Sequence, residues 1–237
     1  ARAIGLGIIQ ANDDDDREIL KQVNALANDT DDMSDADKIV LYKALGSANL
    51  RLGSMESARR YRQKVVDLDQ DHLEYQLMLF QLVLAETQDL LNLVKPNLPE
   101  QEVAKIRNEQ EVQLQRANEI VEDIRRIEGA AGPYGNFAKA SVIFLNAEFA
   151  QRYAGRQDAK LDNPELKASI VRARDLLLDA ESKQPNQASI PALLGRIEVV
   201  LNQDEAAINH LLKAVELGDL DPNTLNQLVP LLTKFNR

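Results

Sequence analysis

Residues 39–72 constrain the fold of this chain more than any other stretch. They read IVLYKALGSANLRLGSMESARRYRQKVVDLDQDH and form a unit of 34 residues. When residue 39 is counted as position 1, Tyr42, Leu45, Gly46 and Asn49 fall at positions 4, 7, 8 and 11. Residues spaced i, i+3, i+4 and i+7 share one face of an α-helix. The spacing therefore predicts that the unit begins with an amphipathic helix.

The same unit contains the signals for a turn and a second helix. Gly53, at position 15, tolerates the positive φ that ends a helix, and Ser54 is a suitable N-cap for the next one. Gly46 and Ala58, at positions 8 and 20, are small residues that allow two helices to approach closely. Neither helix can bury its apolar face alone, so such units are stable only when several of them stack.

A second unit, 188–221, repeats these features with Leu194, Gly195 and Ala207 at the same spacing. This pattern resembles the tetratricopeptide repeat (TPR), a unit of two antiparallel helices that stacks into an α-solenoid. In that family, positions 8 and 20 are the small residues where paired helices touch. An ordinary helical bundle with chance spacing is the alternative, and the equal placement of small residues in two units disfavours it.

The resemblance implies a fold class and a domain organisation. It implies an all-α, right-handed superhelical array of about six helix pairs within a single domain, 1–237. The clearest repeats are 39–72 and 188–221, together with the second helix of a unit at 163–187. Residues 96–135 form an irregular insertion in this array.

The irregular insertion contains one long helical pattern. Residues 100–128 carry an apolar stripe with no turn residue, which predicts a single extended helix that either belongs to a lengthened repeat or projects as a coiled-coil-like arm. Residues 73–96, before it, are typical of another helix pair, which Pro96 ends. The glycine-containing stretch 129–135, after it, predicts a turn.

The amino-terminal part of the chain is acidic. Residues 1–12 look like the tail of a helix, and the run 13–16 consists of four aspartates. Such a run either binds a cation or stabilises the positive end of a helix, and the second use is the commoner one. The acidic loop 29–37 fails as an EF-hand, because Ser34 and Val40 stand where Gly and Glu are needed. Ser34 is instead expected to cap a helix.

Composition excludes several classes of function. The net charge of −10 argues against DNA or RNA as the main ligand. No apolar run is long enough to span a membrane and no signal peptide is visible, so we expect no direct membrane insertion. The absence of Cys fits the cytoplasm as well as a periplasmic or extracellular compartment. Both ends look cut, and we expect a segment of a larger protein.

The residues with catalytic potential form no recognisable site. The two histidines, His72 and His210, have no second His and no Cys at ligand spacing, so no metal site is predicted. Nucleophile, phosphate-binding and zinc-protease motifs are absent from the sequence. We therefore expect a chain that is not an enzyme and uses no cofactor.

The resemblance implies a protein-interaction scaffold that holds a peptide or helix of a partner in the concave groove of its array. The alternative is a docking or regulatory segment of a larger enzyme whose catalytic domain is absent from this chain. Apolar residues at the ends of the array also suggest self-association. A full-length reading frame with a catalytic domain would favour the alternative.

In the family, the concave groove is lined by positions 2, 5, 9, 12 and 13 of the first helices. Carried over to this chain, these positions give Lys43, Ser47, Arg51, Phe149, Arg152, Tyr153, Arg196 and Val199. The family's carboxylate clamp is not expected, because Ser47 and Met78 replace its two asparagines. Basic side-chain ends next to apolar or aromatic side chains predict an acidic, partly apolar peptide as the partner.

Overall fold

The computed structural model describes residues 13–28, 30–155 and 164–235. Over these residues the chain forms helices and no strands, which confirms the all-α prediction. The helices are α1 (Asp13–Ala25), α2 (Asp35–Arg51), α3 (Met55–Leu68), α4 (Leu73–Leu93), α5 (Glu100–Glu128), α6 (Pro133–Gly155), α7 (Pro164–Lys183), α8 (Ser189–Val200), α9 (Asp204–Glu216) and α10 (Pro222–Lys234).

Most helix boundaries follow the sequence signals. The extended helix is confirmed as α5, and Ser34 caps α2 by accepting a hydrogen bond from the backbone N–H of Asp37 at 3.2 Å. The four aspartates begin α1 and lie inside its first turn, where the helix dipole favours negative charge. The predicted tail of a helix at residues 1–12 lies outside the described residues.

The prediction of a helix pair at residues 73–96 is wrong. The structure contains a single helix there, α4, of 21 residues. Its sequence holds no Gly or Pro and is rich in Leu and Gln, which are strong helix formers. With no residue to begin a turn, the helical pattern continues to Leu93.

The described residues form two compact units, and the boundary between them along the chain falls within α4. Unit 1 ends at Glu86, and unit 2 runs from Thr87 to the end of the chain. In unit 1 the core lies between α1, α2 and α3, and its largest members are Tyr42, Leu45 and Tyr61. The predicted single domain and its right-handed superhelical course stay predictions.

Unit 2 has two buried clusters. The larger one packs α6 against α7 and α8, and its members include Phe144, Ile170, Leu177, Ile190, Leu194 and Ile197. The smaller one packs α9 against α10 through Ile208, Leu211, Leu228 and Leu231. No described helix is both long and apolar enough to pass through a bilayer.

The two clearest repeats share the same turn. Position 15 has positive φ in both, with φ 73° at Gly53 and φ 57° at Asn202. Asparagine is one of the few side chains that adopts this region readily. The next backbone N–H closes both turns with a 2.8 Å hydrogen bond, from Ser54 to the Asn49 carbonyl and from Gln203 to the Glu198 carbonyl. The α2–α3 and α8–α9 pairs therefore share the same turn structure.

The small residues of each pair are in contact, as predicted. A Cβ atom added to Gly46 would lie 3.5 Å from the carbonyl oxygen of Ala58. A Cβ atom added to Gly195 would lie 3.2 Å from the carbonyl oxygen of Ala207. In both repeats, the paired helices therefore come close together at positions 8 and 20.

Candidate protein-interaction surfaces

In unit 1 the predicted groove residues lie on one face of α2, which we call the Lys43 face (Lys43, Ser47 and Arg51). Lys43 Nζ lies 3.5 Å from Glu74 Oε1 and 4.9 Å from the centre of the Tyr75 ring, so its charge already has a partner on α4. Ser47 and Arg51 are exposed, and Arg51 lies in the last turn of the helix.

In unit 2 an ion pair joins two first helices. Arg196 on α8 donates to Glu148 Oε1 on α6 at 2.9 Å, and the guanidinium lies 5.3 Å from the centre of the Phe144 ring. About a fifth of each ion-pair side chain is exposed, 22% for Arg196 and 21% for Glu148. Arg152 lies one turn after Glu148 and is exposed. Glu148, Arg152 and Arg196 together form what we call the Arg196 face.

One of the predicted groove residues lies in the interior instead. Phe149 is fully buried, and its ring packs against Tyr153, so its side chain does not line an accessible groove. Val199 is half-buried and packs against the cluster formed by α9 and α10.

Tyr153 faces a different groove from the one predicted. It lies between α5 and α6, where a groove of about 370 Å³ is lined by Arg107, Gln110, Glu111, Leu114, Asn146, Ala150 and Tyr153. The Tyr153 hydroxyl donates to Gln110 Oε1 at 2.9 Å, and the Arg107 guanidinium lies 4.7 Å from the ring centre. Burial raises the pKa of Tyr153 above its ordinary value, against the opposing charge of Arg107. We call this feature the α5–α6 groove.

A half-buried charged cluster ties α7, α8 and α9 together. His210 Nδ1 lies 2.7 Å from Glu198 Oε2, and His210 Nε2 lies 3.6 Å from Glu181 Oε2. Lys213 donates to Glu181 at 3.0 Å. The hydrogen bond to Glu198 raises the pKa of His210 above its ordinary value, since it outweighs the opposing effect of burial. The side chains of this cluster link α7, α8 and α9 to one another.

Sequence reasoning missed the residues that neutralise the predicted cations. Glu74 and Glu148 lie on neighbouring helices, far from Lys43 and Arg196 in the chain. It also missed Arg107 and Gln110, because the apolar stripe of α5 does not indicate which of its polar residues contact α6. A usable signal exists for Glu148, which stands four residues before Arg152 and therefore on the same face of α6.

The end of unit 2 exposes an apolar strip on α10. Leu225 is 36% exposed and Val229, one turn later, is 59% exposed. Phe235 follows the end of the helix and is 36% exposed. Self-association through this strip stays a prediction. Within the part of the chain that is described, no three His, Cys, Asp or Glu residues are grouped to hold a metal ion.

Several solved structures are similar to the chain, all at low sequence identity. The MamA protein is 13% identical, with 85% of this chain and 84% of that chain covered and a TM-score of 0.45. TTC0263, a thermophilic TPR protein from Thermus thermophilus, is 15% identical over 92% and 91%, with a TM-score of 0.47. The TPR2AB domain of yeast Sti1, in a complex with pHSP90, is 12% identical over 94% and 80%, with a TM-score of 0.34.

No protein-family model and no curated protein matches the chain. The repeat geometry of the chain itself is the stronger observation. The α2–α3 and α8–α9 pairs come from two 34-residue units that have a positive φ at position 15 and Gly and Ala at the helix contact. In fold, the chain is an all-α protein whose α2–α3 and α8–α9 pairs are TPR-like.

Proposed function

We propose that the chain is a protein-interaction scaffold whose first helices bind a peptide or helix of a partner protein. The observation that carries the proposal is the Arg196 face. On it, the Arg196–Glu148 ion pair spans two first helices, and Arg152 stands one turn away on the same side. Two cations against one carboxylate leave one net positive charge on this face of a protein whose net charge is −10.

The chemistry of the face favours an acidic and partly apolar partner. Arg152 is exposed, and its planar guanidinium suits bidentate pairing with a carboxylate. Arg196 is held over the Phe144 ring and so offers both an apolar surface and a donor edge. The Lys43 face contributes less attraction for an acidic partner, because Glu74 already neutralises Lys43.

The test uses the full chain and a display library of random peptides. We expect the selected peptides to be acidic, and Arg152→Ala to weaken their binding about five- to tenfold through loss of a charge-assisted hydrogen bond. Arg196→Ala should weaken binding to a similar extent, and Lys43→Ala by less. Arg172→Ala removes an exposed cation from the second helix α7 and serves as the matched control.

Unchanged affinity in both Arg152→Ala and Arg196→Ala would rule out the Arg196 face as the binding surface. A loss of binding in the Arg172→Ala control would instead point to the outer helices. Circular dichroism of each variant would establish that the helices are retained.

A further inference from the structure

We propose that the α5–α6 groove is a second peptide-binding site, on a different face from the first and independent of it. Its ligand is an extended segment of a partner protein in which an acidic residue lies three positions from an apolar one. The argument rests on what each end of the groove offers and on the distance between the two ends.

One end of the groove can bind a carboxylate. Arg107 is exposed, and among the described residues its guanidinium forms no ion pair. It lies 4.7 Å from the centre of the Tyr153 ring. The contact with Tyr153 restrains the guanidinium, so less entropy is lost when it pairs with a carboxylate.

The middle of the groove can form hydrogen bonds with a peptide main chain. Gln110 is only 6% exposed, and its amide accepts from Tyr153 at 2.9 Å and donates to Asn146 at 3.5 Å. The second distance is at the long limit for a hydrogen bond, so little is lost when a ligand replaces it. A side-chain amide carries one acceptor and two donors, which match the C=O and N–H of a peptide unit. Asn146, which is exposed on α6, offers this pairing, and the Gln110 Nε2 group adds a donor from the opposite wall.

The other end of the groove is apolar. Leu114 is half-buried on α5, and Ala150 is exposed on α6. Leu114 follows Arg107 by seven residues, which is about 10 Å along a helix. An extended chain advances about 3.3 Å per residue, so ligand side chains that reach the two ends are about three residues apart. Glu111, exposed between them, disfavours a second acidic residue in the middle.

The groove is distinct from the Arg196 face on the same helix. Tyr153 and Arg152 are consecutive residues of α6, so their side chains leave the helix about 100° apart. Tyr153 contacts α5, whereas Arg152 lies on the side of Glu148, which contacts α8. A peptide bound in the α5–α6 groove therefore responds to different substitutions from one bound on the Arg196 face.

The experiment selects peptides from a random display library on the full chain and sorts them by their response to variants. Peptides of the groove class should carry an acidic residue three positions from an apolar one. Arg107→Ala should weaken their binding about tenfold, and Arg107→Lys by less because bidentate pairing is lost and charge is kept. Glu111→Gln should tighten binding about twofold, since a repulsive charge is removed.

Lys105→Ala is the matched control, because it removes an exposed cation from the same helix two residues earlier. Neither Lys105→Ala nor Arg152→Ala should change the affinity of the groove peptides. The inference is overturned if Arg107→Ala binds every selected peptide as tightly as the wild type. It is equally overturned if the selected peptides lack the spaced acidic and apolar residues, or if selection yields no binder. If every selected peptide responds to Arg152→Ala and none responds to Arg107→Ala, the first-helix proposal is supported and this one is contradicted.

Discussion

The α2–α3 pair and the α8–α9 pair share the same turn and the same small-residue contact but have different buried polar chemistry. Position 11 is buried in both, and it is Asn49 in the first pair and Glu198 in the second. Asn49 Nδ2 donates to the Leu45 carbonyl at 2.8 Å and to Asn24 at 3.1 Å. Glu198 lies 2.7 Å from His210 instead.

This difference shows which features the repeat pattern determines and which features depend on the surroundings of each repeat. The spacing of small and apolar residues specifies the turn and the helix contact. The hydrogen-bonding partner of a buried polar side chain depends on the residues around it, and leaving such a side chain unpaired costs free energy. The Asn49 amide donates to a carbonyl and to a second amide, whereas the Glu198 carboxylate lies within hydrogen-bond distance of an imidazole nitrogen.

The two pairs also differ around the glycine at position 8. A Cβ atom on Gly46 would meet the flexible Arg62 side chain at 3.5 Å, which is ordinary contact. A Cβ atom on Gly195 would lie 2.5 Å from Cγ of Leu211, which is far too close. Arg62 and Leu211 both stand at position 24, so this one position decides how strictly the glycine is required.

The largest effect is expected from His210→Ala. Glu198 is 3% exposed, and the variant leaves its carboxylate without the imidazole donor. We expect the free energy of unfolding to fall by about 2–3 kcal/mol, measured by chemical denaturation near pH 6. The double variant His210→Ala/Glu198→Gln should recover part of this loss, because the uncompensated charge is gone. A double variant less stable than His210→Ala alone would contradict the assigned role of the pair.

Next in size is a pair of glycine substitutions with opposite signs. Gly195→Ala should lower the free energy of unfolding by about 1–2 kcal/mol, because overpacking against Leu211 outweighs the gain in helix propensity. Gly46→Ala should raise it by about 0.5–1 kcal/mol, because the added methyl meets only ordinary contacts. Equal shifts in the two melting temperatures would show that position 24 does not control the tolerance at position 8.

The pH dependence of stability should distinguish the two pairs as well. The pKa of His210 is raised in the folded state, so the stability it contributes is fully present below the unfolded value, about 6.5. That stability is lost as the pH rises through the folded pKa. The change should be smaller than the effect of His210→Ala, since the neutral imidazole keeps one hydrogen bond. Denaturation series from pH 5 to pH 9 on the wild type and on His210→Gln would test this, and identical profiles would refute it.

The smallest effect is expected at position 15. Asn202→Gly should change the free energy of unfolding by only a few tenths of a kcal/mol, because both residues accept the left-handed backbone. Asn202→Ala should cost about 1 kcal/mol at the same site. Thermal melts of the two variants, compared with Gly53→Asn in the first pair, measure this difference. A stabilising Asn202→Ala would mean that the turn does not need its positive φ.

The part of the fold that local patterns control was predictable from the sequence. The bounds of α5 and the glycine contacts followed from helix periodicity and from residues with special backbone freedom. The prediction at residues 73–96 was wrong because the family pattern suggested a turn that no residue in α4 supports. There, the intrinsic preference of the sequence for helix prevailed over the repeat length.

The candidate surfaces were less predictable, because they depend on contacts between helices that are distant in the chain. Position in the repeat predicted Arg152 and Arg196 as groove residues, and the structure has them on α6 and α8. It did not reveal that Phe149 is fully buried, or that Tyr153 contacts Gln110 across 43 residues of sequence. Pairing of this kind depends on which side of each helix meets its neighbour.

The preference of each helix for its neighbours in the chain has a consequence for how the protein reaches its native state. Within unit 2, α6 packs on α7 and α8 packs on α9, so most stabilising contacts close short loops. Short loops cost little entropy to close, and chains dominated by such contacts fold within microseconds to milliseconds. Folding of unit 2 can therefore start at either helix pair and spread to the next one, without waiting for a contact between distant segments.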